Sequence, residues 1–424
     1  MTSRLEELIA ELCPNGVEYH SLEELFVIKN GYTPSKSNSE FWTDGTVPWF
    51  RMDDIRAHGR VLSDSIQHVT KSAVKGGKLF PANSIILATT ATIGEHALVI
   101  VDSLANQQFT FFSKRESLDF NLDMKYVFYY FFIIDEWCKR NVNAASFASV
   151  DMPRLRKLEI PVPPLEVQSE IVRILDTFTE LTAELTAELT AELTARKKQY
   201  EYYRDTLLTF DDNNPLHSLI QRYCPNGVEY KKIGDIASVD RGGSLQKKDF
   251  CEHGIPCIHY GQIYTKYGLF ASKSYTFIDS ECASKQRFAH KNDIVMAVTS
   301  ENIEDVCKCV AWFGEEDAAV SGHSAIIRHN QNAKYLVYYF HSSMFFLQKK
   351  KLAHGTKVIE VTPSDLLDVK IPIPPLEVQR QIVQILDRFD ALCNDLTQGL
   401  PAEIEARRKQ YEYYRDQLLT FKRA

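Results

Sequence analysis

Three blocks of this chain recur at one fixed offset. CPNGVEY runs from Cys13 to Tyr19 and again from Cys224 to Tyr230. IPVPPLEVQSEIVRILDTF begins at Ile160, and IPIPPLEVQRQIVQILDRF begins at Ile371. ARKKQYEYYRDTLLTF begins at Ala195, and ARRKQYEYYRDQLLTF begins at Ala406. Each pair lies 211 residues apart in a chain of 424, so a unit of about half the chain is duplicated. The stretches between the blocks, from about Ser21 to Glu159 and from about Lys231 to Lys370, resemble each other only faintly. A fixed frame carrying two divergent inserts points to one scaffold that recognises two different things.

The repeated blocks carry a helical pattern. Pro163 and Pro164 open it, since proline suits a first turn and resists a helix interior. Leu165 to Phe210 holds no Gly or Pro over 46 residues, roughly 69 Å at ~1.5 Å per residue, and Asp211–Pro215 breaks it. Ile171, Leu175, Phe178 and Leu181 recur at steps of three and four, a seam for a partner helix. The second copy, Leu376 to Phe421, keeps that seam at Ile382, Leu386, Phe389 and Leu392, and Gly399 and Pro401 predict a kink or break. Two long helices with matched seams predict an antiparallel pair.

A low-complexity run sits in the first helix. TAEL occurs three times in tandem from Thr182 to Leu193, placing leucines at 181, 185, 189 and 193. Leu392, Leu396, Leu400 and Ile404 match them in the second copy. Four residues turn a helix by ~400°, so one more TAEL lengthens the rod by ~6 Å and rotates its far end by ~40°. B-DNA turns ~34–36° per base pair. Glu184, Glu188 and Glu192 form an acidic line on which only Glu192 finds a local mate, Arg196.

Both inserts read as mixed α/β. Ile85–Val101 and Asp293–Ser300 are predicted strands, short, β-branched and apolar. Lys125–Phe132 and Tyr335–Leu347 are predicted helices whose aromatics belong to a core. Asn30-Gly31-Tyr32-Thr33 and Arg241-Gly242-Gly243-Ser244 keep the offset of 211, so a glycine turn opens each insert. Beyond it the register slips: Thr46-Val47-Pro48-Trp49 resembles Gly254-Ile255-Pro256-Cys257 at an offset of 208. The expected segments are 1–159, a first recognition domain; 160–213, the central helix; 214–370, a second recognition domain; and 371–424, the C-terminal helix.

The formal net charge of −7 argues mildly against nucleic acid, yet binding depends on local patches. Basic clusters lie inside the inserts: Lys71/Lys75/Lys78, Arg241/Lys247/Lys248, Lys285/Arg287/Lys291 and Lys349/Lys350/Lys351. Each is a candidate patch or a solvated face. The nine cysteines are scattered without a CxxC, and Cys307-Lys-Cys309 alone is weak evidence for zinc, so buried or idle thiols are expected. No apolar run is long enough to span a bilayer and Met1–Ala10 is no signal peptide, which predicts a cytoplasmic protein.

Catalytic signatures are missing. Val162–Leu165 and Ile373–Leu376 superficially resemble the [DN]PP[FY] tetrapeptide of adenine methyltransferases but lack its leading Asp or Asn, and each sits at a repeated helix start. Gly76-Gly77-Lys78 lacks the spacing and hydroxyl of a P-loop, and there is no HExxH or GxSxG. His58, His96 and His323 have no partner evident in the sequence, so surface or satisfied core positions are expected for them. No active site is expected.

Two copies of a PPLEVQxxIVxILDxF helix, each after a variable insert with a glycine-turn start, resemble the specificity subunit of type I restriction–modification enzymes. The TAEL run resembles one subfamily (type IC-like), and TVPWF-RMDDI, TATIG, Asn106–Gln108 and GIPCI resemble that family's target-recognition domains. The resemblance implies an α+β fold: two α/β target-recognition domains separated by two long helices, conserved between the two copies and packed as an antiparallel coiled coil, with a pseudo-twofold internal repeat. It further implies that each domain binds one half of a split site in double-stranded DNA, that the helices set the gap, and that the chain is not itself an enzyme. The implied partners are two modification subunits, which methylate adenine with S-adenosylmethionine, and restriction subunits, which need ATP and magnesium; the chain itself is expected to hold no cofactor or metal. Since arginine reads guanine and Asn or Gln reads adenine, the candidate DNA-binding residues are Thr33, Lys36, Arg51, Thr89, Thr90, Thr92, Asn106 and Gln107 in the first insert. In the second they are Arg241, Ser244, Gln246, Lys247, His259, Gln262, Thr299, Ser300 and His323. The competing reading is a coiled-coil scaffold with two ligand-binding heads that do not act on DNA.

Overall fold

The computed structural model describes residues 3–118, 121–143, 148–394 and 399–424. They gather into two compact units, Met1–Ala187 with Glu405–Ala424, and Glu188–Ile404. The duplication explains this division. Each unit holds one copy of every repeated block, but the first takes its YEYYRD block from the C-terminal end of the chain and the second takes it from the central helix. In the first unit the C-terminal residues are tied in by backbone bonds, Val17 N to Lys422 O at 2.9 Å and Ala424 N to Val17 O at 3.0 Å, and by Tyr19 OH donating to Phe421 O at 2.9 Å.

The first unit is built on a five-stranded sheet in the order Phe26–Asn30, Phe109–Lys114, Ser84–Ala88, His96–Val99, Val61–Leu62. All pairs are antiparallel except the last. Ile85, Leu87 and Phe112 pack with Tyr126, Val127, Phe131 and Ile134 of the helix Met124–Arg140. Ile86, Ala88, Phe109 and Phe111 pack instead with Phe50, Met52 and Ile55. A sheet covered on both faces wants apolar residues at every position, which is why Ser84–Ala88 is buried throughout. A small sheet, His68–Val69, Val47–Phe50, Leu104–Ala105, completes the unit.

The second unit repeats the plan. Its five strands run in the order Ala237–Arg241, Ser324–His329, Ile294–Ala297, Cys309–Trp312, Phe270–Ala271, and its helix Ala333–Phe340 packs on them. The smaller sheet has four strands, Thr276–Ile278, Ile255–Ile258, Ala318–Val320, Arg287–Ala289.

The long helix spans Leu165–Leu207, ending three residues before the expected Phe210. There the buried Asn214 amide donates to the carbonyls of Thr206, Leu207 and Thr209 at 3.2, 3.1 and 2.7 Å, satisfying the open end. The repeated PPLEVQ is a joint. Gln168 donates to Pro163 O at 2.7 Å and accepts from Asp123 N at 2.8 Å. Gln379 donates to Pro374 O at 2.8 Å and accepts from Asn332 N at 3.0 Å. Each glutamine thus fixes the start of its long helix to the head of its own unit, and the structural reading of VPPL and IPPL holds.

The helices pair antiparallel. In the first unit Thr179 Oγ1 lies 2.8 Å from Tyr411 OH, while Leu419 shares a core with Val167 and Ile171. In the second, Tyr203 stacks on Phe389 with ring centroids 5.1 Å apart, while Leu207 shares a core with Val378 and Ile382. The expected seam is covered only in part. Ile171, Leu175, Ile382 and Leu386 are buried because they face their heads as well, but Phe178, Leu181, Leu185 and Leu392 are exposed. Leu189, Leu193, Leu400 and Ile404 are half-buried, and Leu396 lies outside the described residues. Among the described residues the second helical pattern gives two helices, Leu376–Asn394 and Leu400–Leu418, with Gly399 outside both. Glu192 meets Arg196 at 3.4 Å.

Two further expectations need correction. Ile85–Val101 is not one strand but a hairpin, its arms Ser84–Ala88 and His96–Val99 paired antiparallel. Tyr335–Leu347 is two helices, Ala333–Phe340 and Ser343–Leu352, broken where the Ser342 hydroxyl caps the second. His96 takes the satisfied core position, one of the two expected for it: its ring is buried, with Nδ1 2.7 Å from Asp135 Oδ2 and Nε2 3.0 Å from Phe128 O.

Candidate nucleic-acid interface

The glycine that opens each insert is demanded by backbone packing. A Cβ on Gly31 would lie 2.5 Å from the carbonyl oxygens of Ala105 and Asn106, and one on Gly242 would lie 2.2 Å from that of Ser321. The chain crosses here so closely because Tyr32 N donates to Ala105 O at 2.8 Å, and Gly243 N donates to Val320 O at 2.7 Å. This crossing gathers the candidate residues.

In the first unit Thr33 Oγ1 donates to Gln107 Oε1. Asn106 N donates to Phe50 O at 3.0 Å, next to Arg51, and Thr89 N donates to Gln108 O at 2.9 Å, next to Thr90. Thr33, Arg51, Thr90, Asn106 and Gln107 therefore come from four distant segments to one place. Lys36 is exposed on the loop that Gly31 starts, and Thr92 is half-buried in the turn closed by Gly94 N to Ala88 O at 3.1 Å. Lys75 joins them, its backbone N–H donating to Tyr32 OH at 2.9 Å and its ammonium 4.7 Å from the Tyr32 ring.

Arg51 is only loosely held. Its guanidinium lies 5.7 Å from the Trp49 ring and 3.8 Å from Asp53. Asp54 is occupied elsewhere, accepting from the N–H groups of Arg51 and Ile66 at 2.6 Å each, so it caps a helix rather than neutralising the arginine. Arg51 Nε is buried and has no hydrogen-bond partner among the described residues.

In the second unit Arg241 pairs with Glu360, and Arg287 donates to Arg241 O at 2.9 Å. Thr299 and Ser300 pair with Glu360 and Ile359 as a short ladder. His323 is exposed, its Nδ1 3.1 Å from Thr299 Oγ1 and its ring 4.9 Å from that of Tyr260. Ser244, Gln246 and Lys247 lie on the loop after the glycine pair, Ser244, Gln246 and Lys247 all at its solvent face. Burial first, then the neighbouring Lys247 and His323, hold the His259 imidazole below its ordinary value.

Four candidates are withdrawn from any surface. Thr89, His259, Gln262 and Thr299 are between 4% and 8% exposed. Thr89 Oγ1 bonds Thr110 at 2.9 Å. Gln262 accepts from His259 N at 3.2 Å and meets Thr276 Oγ1 at 3.1 Å. His259 Nδ1 accepts from Gly261 N at 3.2 Å. Their polar atoms are spent within the fold, so they shape the surface rather than line it. The Lys349–Lys351 cluster also shrinks: Lys349 is buried and donates to Glu304 O and Val306 O at 2.9 and 2.6 Å, and burial lowers its pKa. Two residues absent from the sequence-based candidates belong with them, Tyr260 and Gln108. The NQQ phrase held the only signal for the latter.

Among the described residues no group of His, Cys, Asp or Glu is placed to hold a metal ion, and no helix is long and apolar enough to cross a membrane. The nine cysteines are free thiols. Burial pushes the Cys307 thiol up to about 12 and the Cys309 thiol well above its ordinary value, so the close pair is inert.

Residues 14–195 and 225–406 each match the family model described as the type I restriction modification DNA specificity domain. The specificity subunit of the type I restriction enzyme EcoprrI of Escherichia coli is 38% identical over 391 residues, covering 90% of each chain. That of EcoR124I/EcoR124II of Escherichia coli is 35% identical over 318 residues, covering 70% of this chain and 71% of that one. A solved structure of the type I R-M system shares the fold, with a TM-score of 0.62, 19% identity and coverage of 96% and 98%.

Proposed function

Since the chain belongs to the type I restriction–modification DNA specificity family, we propose that it is the non-catalytic specificity subunit of such a complex. Each head reads one half of a bipartite, asymmetric site in double-stranded DNA. The paired helices set the gap between the halves and dock two modification subunits. Adenine methylation with S-adenosylmethionine, and ATP- and magnesium-dependent cleavage, belong to the modification and restriction partners, and no step of either is assigned to this chain.

One observation carries this reading. The two units share a hydrogen-bonded frame around the glycine crossing, yet the side chains at its rim differ: Thr33, Arg51 and Gln108 in one, Ser244, Gln246 and His323 in the other. A shared frame with altered rims is what reading two unlike half-sites requires. Basic side chains at the rims suit phosphate contacts, which position a reader, while the amides and imidazole suit base edges. The test is selection from random duplexes by the chain assembled with its modification partners. Enrichment of two fixed half-sites at a fixed gap is expected; enrichment of none would leave the scaffold reading.

A further inference from the structure

The sequence offsets do not pair the two units across their central loops, but the backbone does. Thr89 N donates to Gln108 O at 2.9 Å, and Val298 N donates to His323 O at 2.9 Å. Asn106 N donates to Phe50 O at 3.0 Å, and Ser321 N donates to Ile258 O at 3.1 Å. Gly31 N meets Phe109 O at 2.8 Å, and Gly242 N meets Ser324 O at 2.9 Å. Phe109 N closes on Asn106 O at 3.2 Å, and Ser324 N closes on Ser321 O at 3.0 Å. Four independent bonds thus place Gln108 and His323 at one and the same position of the frame, in the tight turn between the small sheet and the large one. Their separation is 215 residues, which neither the 211 nor the 208 register finds.

Both side chains are held at one end and open at the other. Gln108 Oε1 accepts from Asn106 Nδ2 at 3.1 Å, and its Nε2 has no acceptor among the described residues. His323 Nδ1 faces Thr299 Oγ1 at 3.1 Å, and its Nε2 has no partner among the described residues. When the Thr299 hydroxyl donates to Nδ1 the hydrogen sits on Nε2, and when it accepts from Nδ1 the Nε2 is an acceptor. Each unit therefore presents one oriented, unpartnered side-chain nitrogen from the same place, an amide donor at Gln108 and an imidazole nitrogen at His323. Purine N7, guanine O6 and thymine O4 are the major-groove acceptors an N–H donor meets, and the amino groups of adenine and cytosine are the donors an imidazole acceptor meets.

We infer that Gln108 and His323 are equivalent base-reading residues, each addressing the base pair at the same distance from the gap in its own half-site. The inference rests on the function proposed above and adds to it a specific pair and a specific register. Their different chemistry is one source of the difference between the half-sites.

The experiment is site selection from random duplexes by the full chain assembled with its modification subunits. Gln108→Ala is expected to relax one base pair of one half-site by about tenfold, and His323→Ala one base pair of the other half-site by about tenfold. The two relaxed positions lie at the same count from the gap. Gln108→Glu and His323→Asn guard against a collapsed turn. The first keeps the acceptor for Asn106 and removes only the free donor, and the second keeps an acceptor for Thr299, so each must alter the same base pair as its alanine variant. Unchanged half-sites in all four variants, or relaxed positions at unequal distances, would overturn the inference while a bipartite parental consensus leaves the proposed function standing. A parental complex that selects no bipartite site would sink the function itself.

Discussion

The Asp176 carboxylate accepts from Tyr129 OH at 2.7 Å and from Lys125 Nζ at 2.6 Å, joining the long helix to the head of the first unit. Asp387 does the same with Tyr338 and Lys334, at 2.7 and 2.6 Å. The lysine pairs are a third or more exposed, so solvent screens them and each contributes under ~1 kcal/mol. The tyrosine bonds are better shielded, and burial together with the facing carboxylate holds both phenols well above their ordinary pKa. Tyr129→Phe and Tyr338→Phe are each expected to cost about 1.5–3 kcal/mol, as for a hydrogen bond to a charged acceptor. Lys125→Met and Lys334→Met should cost clearly less. Chemical denaturation of the full chain measures this; equal losses for the two residue types would refute the ranking.

Deleting one TAEL, Thr186–Leu189, is expected to shorten the preferred gap by about one base pair and leave both half-sites unchanged, from the ~40° turn of four helical residues. The exposure of Leu181 and Leu185 makes the deletion tolerable, since few buried contacts change register. Methylome sequencing of a strain carrying the deletion reads both quantities at once, and altered half-sites would contradict the ruler.

Lys36 and Lys247 occupy the same register of the duplicated frame and both are exposed on the loop after the glycine crossing. Long flexible ammonium groups there suit phosphates. Lys36→Ala and Lys247→Ala should each weaken binding uniformly across sequences and reduce the slope of log affinity against log salt by about one. A salt titration of binding to the cognate duplex decides it. A change of preferred bases instead of slope would make these residues readers.

The duplication preserves some features and lets others drift, and this decides how much was legible in the sequence. The helices, their antiparallel pairing and the two glycine crossings were readable because the offset of 211 marks them, and Gly31 and Gly242 are fixed by a backbone contact that tolerates no other residue. Inside the inserts the register drifts, so the equivalence of Gln108 with His323 is written only in hydrogen bonds. Thr89, His259, Gln262 and Thr299 look like readers in the sequence because polarity alone does not show that a hydroxyl, amide or imidazole is spent inside the fold. Lys349 was hidden in a run of three lysines for the same reason, since composition cannot tell a buried donor from a solvated one.

Burial lowers the His329 pKa from its ordinary 6.5 to about 4. Its Nδ1 accepts from Gln331 N at 3.2 Å, which requires the neutral ring, and its Nε2 is buried without a partner among the described residues. A depressed folded-state pKa means the unfolded chain binds the proton first. The contribution is thus present above pH 6.5 and is lost as pH falls toward 4, on the order of 1–2 kcal/mol after allowing for partial exposure. His329→Asn keeps an acceptor for the Gln331 N–H in an Asx-turn and removes the titration. Stability against urea, followed from pH 7 to 4, should fall less steeply in the variant than in the parent; parallel profiles would show that His329 does not titrate in this window.

Gly31→Ala separates the two readers most sharply. Its new Cβ would meet two backbone carbonyls at 2.5 Å, and backbone cannot rotate away as a side chain can. The 105–108 segment must therefore shift, carrying Asn106, Gln107 and Gln108 with it, at a cost typical of overpacking, about 1–3 kcal/mol. The second unit contains its own crossing at Gly242 and is built from residues 188–404, so its frame is untouched. Site selection by the assembled complex should then keep one half-site intact and degrade the other, while Gly242→Ala does the reverse. Loss of both half-sites from either substitution, in protein that still folds and assembles, would mean that the heads do not read DNA independently.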